Sequence, residues 1–162
     1  MKKRLFFKCQ QGASAVEFAI VLPLLLVFIF GIIEFGILLY DKAIITNASR
    51  EGARTAILFH APGGTSIPMP ATDVQSVVIR YCSTHLINFS SATITAGDVT
   101  VSPVTAGVAG MKYRTVTVSF GYTFLVFPRI LATLFSGGTM AGAIPLNTVT
   151  TMRMEDQGLP AT

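Results

Sequence analysis

Residues 12–40 read GASAVEFAIVLPLLLVFIFGIIEFGILLY. Phe18–Ile33 is a run of sixteen residues without a charge, and the apolar stretch continues to Tyr40 with Glu34 as its single interruption. About twenty helical residues cross the ~30 Å hydrocarbon core of a bilayer, so Phe18–Tyr40 is long enough to span one. Glu17 and Glu34 stand seventeen residues apart, which is roughly 26 Å along a helix. With the helix centred in a bilayer, each carboxylate is expected near one edge of the core, where ionisation is tolerated. Pro23 lies inside this helix. It removes a backbone hydrogen bond and is expected to kink the segment, which membrane helices accommodate.

Before this stretch the chain is basic. Lys2, Lys3, Arg4 and Lys8 are four of the twelve Lys and Arg residues. From Ala13 onward eight basic and eight acidic side chains cancel. The pI of 9.3 therefore belongs to the N-terminus, no basic patch for nucleic acid remains, and no nucleic-acid partner is expected. The leading cations place the short end in the cytoplasm and the long remainder outside it. The 162 residues are 51% apolar and 12% charged, against about 25% charged in an ordinary soluble domain. Disorder is excluded and a plain soluble globule is disfavoured. A cleaved secretory signal has a shorter apolar region followed by small residues, whereas here the run is long and the notable small residue, Gly12, precedes it. Cys9 also precedes the apolar segment, the wrong side for a lipoprotein signal. Cys82 reads as a small buried hydrophobe, and the two cysteines imply no disulfide framework.

Past Tyr40 the helical pattern continues over Asp41–Phe59, and the first helix is expected to end near Leu58. Ala48, Gly52 and Ala56 recur every four residues as one narrow stripe of small side chains. Such a stripe suits close backbone approach, either to the chain's own domain or to a neighbouring subunit. Arg50, Glu51 and Arg54 lie beside it, and Glu51–Arg54 is a feasible i,i+3 ion pair worth only ~0.2–0.5 kcal/mol.

A basic leader, Gly12, four residues, Glu17-Phe18 and then an apolar helix resemble a type IV prepilin signal, with the Glu-Phe pair most like the Flp, or tight-adherence, branch. The fuller pattern is Val16-Glu17-Phe18, Leu22-Pro23-Leu24, Gly31, Glu34-Phe35-Gly36, Asn47-Ala48 and Arg50-Glu51-Gly52-Ala53-Arg54. Over residues 12–56 it resembles the TadE-like family of pseudopilin-like proteins of tight-adherence pilus assembly. Met152-Arg153-Met154-Glu155 is a weaker second echo, and the TadF-like group shares the N-terminal architecture. The resemblance implies cleavage by an inner-membrane prepilin peptidase between Gly12 and Ala13, with Glu17 and Phe18 part of the processing signal. Glu17 becomes the fifth residue of the mature chain, neutralised by the new N-terminal amine of a neighbouring subunit. By the same resemblance Pro23 assists departure from the bilayer. The implied partners are the peptidase, other pilin or pseudopilin subunits (a TadF-like protein, the Flp pilin), the inner-membrane assembly platform and the lipid bilayer. The location implied is the bacterial inner membrane, single-pass, with the C-terminal part periplasmic or carried into a surface pilus. Glu17, Pro23, Glu34, Ala48, Gly52 and Ala56 are the candidate subunit contacts.

The remainder reads as a small domain. His60–Thr72 holds three prolines and two glycines and is expected as a loop. Asp73 is expected to cap a helix from Val74 to about Leu86, with Val74, Val77, Val78 and Tyr81 on one face. Ala92–Thr95 and Val99–Ser102 read as short strands. Tyr113–Phe124 is the clearest strand, with Val116, Val118, Phe120, Tyr122 and Phe124 alternating with polar residues or glycine. Pro128–Phe135 reads as a helical turn, Gly137-Gly138 as its break and Leu146–Met154 as a last strand. The expected architecture is a basic leader at 1–12, a transmembrane and extended helix at 13–59, and an extracytoplasmic α+β domain at 60–162. A long N-terminal helix packed on a small antiparallel sheet gives this α+β fold a pilin-like outline.

Chemistry-bearing residues are sparse. His60 and His85 are far apart, neither shares a metal-ligand spacing with cysteine or acid, and the remaining acids are scattered. Gly107–Gly110 and Gly137-Gly138 match no phosphate-binding loop. No enzymatic activity, cofactor or metal is expected. A static, uncleaved single-pass anchor of a periplasmic or surface domain is the alternative, and a membrane-tethered enzyme or ligand-binding domain would instead show a polar pocket after residue 60.

Overall fold

The computed structural model describes residues 10–61, 67–87, 93–107, 110–126 and 143–155. The leader's first nine residues, Ala92, the Pro128–Phe135 turn and the Gly137-Gly138 break lie outside them. The first element, α1, is one continuous helix over Gln10–Ala56 that passes through Pro23. Its last turn tightens, with the Leu58 N–H donating to the Thr55 carbonyl at 3.1 Å. Phe59–His60 (β1) then pairs antiparallel with Ile67–Pro68 (β2). The segment expected as loop therefore contains a two-residue ladder.

The second helix, α2, covers Ala71–His85 and starts three residues earlier than Asp73 capping would allow. Pro70 is the N-cap, with its φ of −57° set by the ring and its ψ of 144° still extended, so the helix begins at Ala71. Asp73 sits within the first turn, where its charge meets the positive end of the helix dipole. Val74, Val78 and Cys82 form the buried face, each worth ~1.5–3 kcal/mol for a fully buried apolar side chain of valine size. Val77 is only half-buried. Thr95 belongs to no strand. Its N–H and hydroxyl both donate to the Asp98 carboxylate, at 2.8 and 2.7 Å, closing a 3-10 turn over Ala96–Asp98.

Four strands form the main sheet: β3 (Val99–Val101), β4 (Thr105–Ala106), β5 (Lys112–Tyr122) and β6 (Ile144–Met154). All pairings are antiparallel, with β5 in the centre, β6 along one side, and β3 then β4 along the other. The expected alternation on β5 holds: Val116, Val118, Phe120 and Tyr122 are buried on one face. Phe124 falls beyond the strand end and packs edge-on against Tyr122 at 5.3 Å. α1 and α2 cover this face together, giving an α+β fold of two layers.

α1 has a direction relative to the sheet. The Tyr122 hydroxyl donates to the Glu34 carbonyl, the Ser49 hydroxyl shares a 2.6 Å hydrogen bond with that of Thr150, and Arg114 reaches the Ala56 carbonyl. The helix thus runs antiparallel to β5 and parallel to β6. From Gly12 to Ile33 no residue is buried, and Glu34 is the first that is. These 22 unburied residues alone make about 33 Å of helix, enough to cross a hydrocarbon core. α1 is the one described helix long and apolar enough to cross a membrane. The stretch available to do so lies several residues N-terminal to the expected Phe18–Tyr40, because Ile37 and Leu38 pack on the domain core.

Candidate functional site

Gly12 and Ala13 lie on α1 and are exposed, and a Cβ at Gly12 would meet nothing within 4 Å. Both residues of the Gly12–Ala13 bond are thus exposed on the helix. Glu17 and Phe18 follow on the exposed stem. Glu17 sits about 8 Å along the helix from Gly12. Pro23, also exposed, has no N–H to give the Ala19 carbonyl.

Glu34, expected at the membrane edge and as a contact for a neighbouring subunit, is engaged within its own chain. It is 5% exposed. Its Oε1 accepts the Leu125 N–H at 2.9 Å and also that of Val126. β5 ends at Tyr122, so the amides beyond it need an acceptor, and the carboxylate supplies one. Two turns later Asp41 repeats the arrangement. It is fully buried, and its Oδ1 accepts the Ile87 N–H just past α2 at 3.0 Å. Two carboxylates on one face of α1 thus hold the two segments that leave β5 and α2 at the neck of the stem. Glu34 and its spacing to Asp41 were visible in the sequence. Their partners, separated by 46 to 92 positions, were not.

The Asp41 Oδ2 is buried with no hydrogen-bond partner among the described residues. Burial pushes its carboxyl above the usual range, while the Ile87 N–H pulls the other way. A carboxylate whose folded pKa is raised contributes its full stability below the unfolded value of about 3.9, and that contribution falls as pH rises through the folded pKa. Asp41→Asn keeps an acceptor for Ile87 and removes the charge. Relative to the wild type, the variant is expected to gain stability progressively as pH rises above about 4, the unfolded carboxyl value. Thermal unfolding of the two proteins in the same detergent measures this difference, and parallel pH profiles would contradict it.

Ala48, Gly52 and Ala56, the candidate small-residue contacts for a neighbour, are buried in the chain's own core. A Cβ at Gly52 would lie 2.5 Å from Val78 Cγ2 and 3.4 Å from Val116 Cγ1. The stripe is where α2 and β5 approach α1, so the chain's own domain fills it. Arg114 is the residue the sequence reading passed over. It is buried, with Nη1 donating to the carbonyls of Ala56 (3.0 Å) and Met69 (2.6 Å) and Nε to that of Ser102 (3.3 Å). Its position on the inward register of β5, two before Val116, was the available signal. Cys82 is buried, and desolvation pushes its thiol up to about 11, away from reactivity.

Among the described residues no three His, Cys, Asp or Glu side chains converge as a metal site. A shallow groove lies on the stem itself, lined by Val27, Phe28, Gly31, Ile32 and Phe35, all apolar or glycine. The features that stand out are therefore an exposed Gly12–Ala13 pair, a free apolar stem carrying Glu17, and a clamped neck.

The family model for TadE-like proteins matches residues 12–54. The match opens on Gly12, takes in the whole stem and the neck carboxylates, and ends two residues before α1 does. The sheet and α2 lie outside it. No curated protein and no solved structure matches the chain.

Proposed function

We propose that this chain is a minor pilin-like subunit, a pseudopilin, of a tight-adherence or Flp-type pilus assembly system. The observation that carries the reading is the family match over residues 12–54, which begins at the exposed glycine preceding a stem of membrane length. The chain waits in the bacterial inner membrane as a single-pass protein, N-terminus in the cytoplasm and sheet domain in the periplasm. A prepilin peptidase cuts after Gly12, leaving Ala13 as the new amino terminus. Glu17, set inside apolar surroundings, then takes its counter-charge from the amine of a neighbouring subunit, which fixes the register between stems. Association runs through the stem, since the stripe at Ala48, Gly52 and Ala56 is already filled. A TadF-like protein, the Flp pilin and the inner-membrane assembly platform are the partners this reading names. The role is mechanical, with no catalysis and no cofactor.

Co-expression of the full chain with and without a prepilin peptidase tests it by intact mass. The expected result is a loss of roughly 1.5 kDa, corresponding to Met1–Gly12, that disappears in a Gly12→Leu variant. An unchanged mass, with the peptidase active on a control substrate, would favour the static single-pass anchor.

A further inference from the structure

We infer that the outer edge of β6 is a strand-addition site for an extended segment of a partner protein, with carboxylates near the segment's ends. In an antiparallel pair, residues alternate between those whose backbone groups bond the neighbour and those whose groups point away. Thr115 of β5 exchanges hydrogen bonds with Ser102 on the β3 side, its carbonyl accepting the Ser102 N–H and its own N–H donating to the Ser102 hydroxyl. Its β6 partner Thr151 is therefore turned outward, and so are Pro145, Asn147, Val149 and Arg153 at the same alternation. Pro145 fits this register because its missing N–H lies on the edge side. Lys42 confirms it by donating to the Asn147 carbonyl from outside the sheet. Val149, Thr151 and Arg153 are left with outward N–H and C=O groups that no described residue meets.

The edge is unlike its counterpart. On the other side of the sheet, β3 is three residues long, Gln75 covers the Val99 carbonyl at 2.9 Å, and Pro103 interrupts the path to β4. Those are the usual protections of an edge strand. β6 runs for eleven residues, with Arg153 its only charge and Val149 63% exposed.

The topology decides what can occupy the site. Two β6 edges paired about a two-fold axis run antiparallel, and because α1 runs parallel to β6 the two stems would then point in opposite directions. One bilayer or one polar filament cannot hold both. The β3–β4 edge of a second copy is shielded by Gln75 and Pro103. What fits is an extended strand from another protein, about five residues long to match 149–153. Lys42 stands at one end of the open stretch and Arg153 at the other, which selects a segment with acidic ends.

Amide exchange of the full chain in detergent micelles, read by NMR, tests this. The probe is a capped hexapeptide of alternating valine and threonine with a glutamate at each end. In the free chain the Val149, Thr151 and Arg153 amides are expected to exchange much faster than those of Thr148, Thr150 and Met152. Excess peptide is expected to slow the outward three by about tenfold or more and leave the inward three unchanged. A peptide N-methylated on its bonding edge has no effect, and one with glutamines at its ends binds more weakly. Thr151→Pro keeps the β5 resonances and loses the response to the peptide. Outward amides already protected in the free monomer, or indifferent to the peptide, would overturn the proposal. Protection that rises with protein concentration alone, together with a dimer mass, would assign the edge to a second copy instead. Equal binding of the glutamine-ended peptide would remove the acidic selectivity.

Discussion

Arg114→Met is expected to destabilise the sheet domain by about 2–5 kcal/mol, because a buried and a part-buried carbonyl lose their donor at once. The Ala56 carbonyl is one of the last of α1, and the Met69 carbonyl closes the approach to α2; Nη1 serves both. A guanidinium at a helix C-terminus also meets the negative end of the dipole. Methionine matches the length of the stem of that side chain but donates nothing, so each acceptor bears its own desolvation cost. Lysine restores the charge but not the fork of N–H groups, and Arg114→Lys is expected to recover only part of the loss. The chain has no tryptophan, so unfolding in detergent is followed by far-UV circular dichroism, whose strand component should vanish while the helical signal of the stem persists. A loss under about 0.5 kcal/mol for Arg114→Met would mean that water replaces the guanidinium.

Gly52→Ala is expected to destabilise by about 1–2 kcal/mol, against the gain of about 0.5–1 kcal/mol that alanine ordinarily brings to a helix interior. The added methyl would stand 2.5 Å from Val78 Cγ2. Valine is stiff at χ1, and Val74 Cγ1 and Val116 Cγ1 close the space on either side, so α2 itself must shift. Val78→Ala removes the clashing atom. The double variant should therefore be more stable than the two single effects summed, and a double-mutant cycle on unfolding free energies measures that coupling. A stabilised Gly52→Ala protein would show that α1 and α2 are not pressed together here.

Two elements were legible from residues alone because their signals are local. The charge-free run from Phe18 to Ile33 dictates an apolar helix, and the alternation from Val116 to Tyr122 dictates a half-buried strand; both periods belong to the chain itself. The antiparallel α+β outline followed from those two patterns. Boundaries were less secure. Asp73 carried the composition of a helix cap, yet Pro70 started α2 earlier through a backbone restriction that outweighed it. Thr95 read as β-branched strand residue, but Asp98 three positions on offered its carboxylate and closed a turn instead.

The tertiary structure alone decided which of α1's features face inward. The stripe at Ala48, Gly52 and Ala56 suits a neighbouring subunit and the chain's own α2 equally well by spacing, and only the position of Val78 and Val116 shows which one fills it. Glu34 read as a second membrane-edge carboxylate. Its capture by amides at Leu125 and Val126 ends the free stem at Ile33 and leaves Glu17, not Glu34, as the exposed carboxylate of that stem. A local pattern specifies a residue's element and face. Which distant amide, methyl group or strand edge comes to that face is set by chain closure over many tens of residues, and no period in the sequence encodes it.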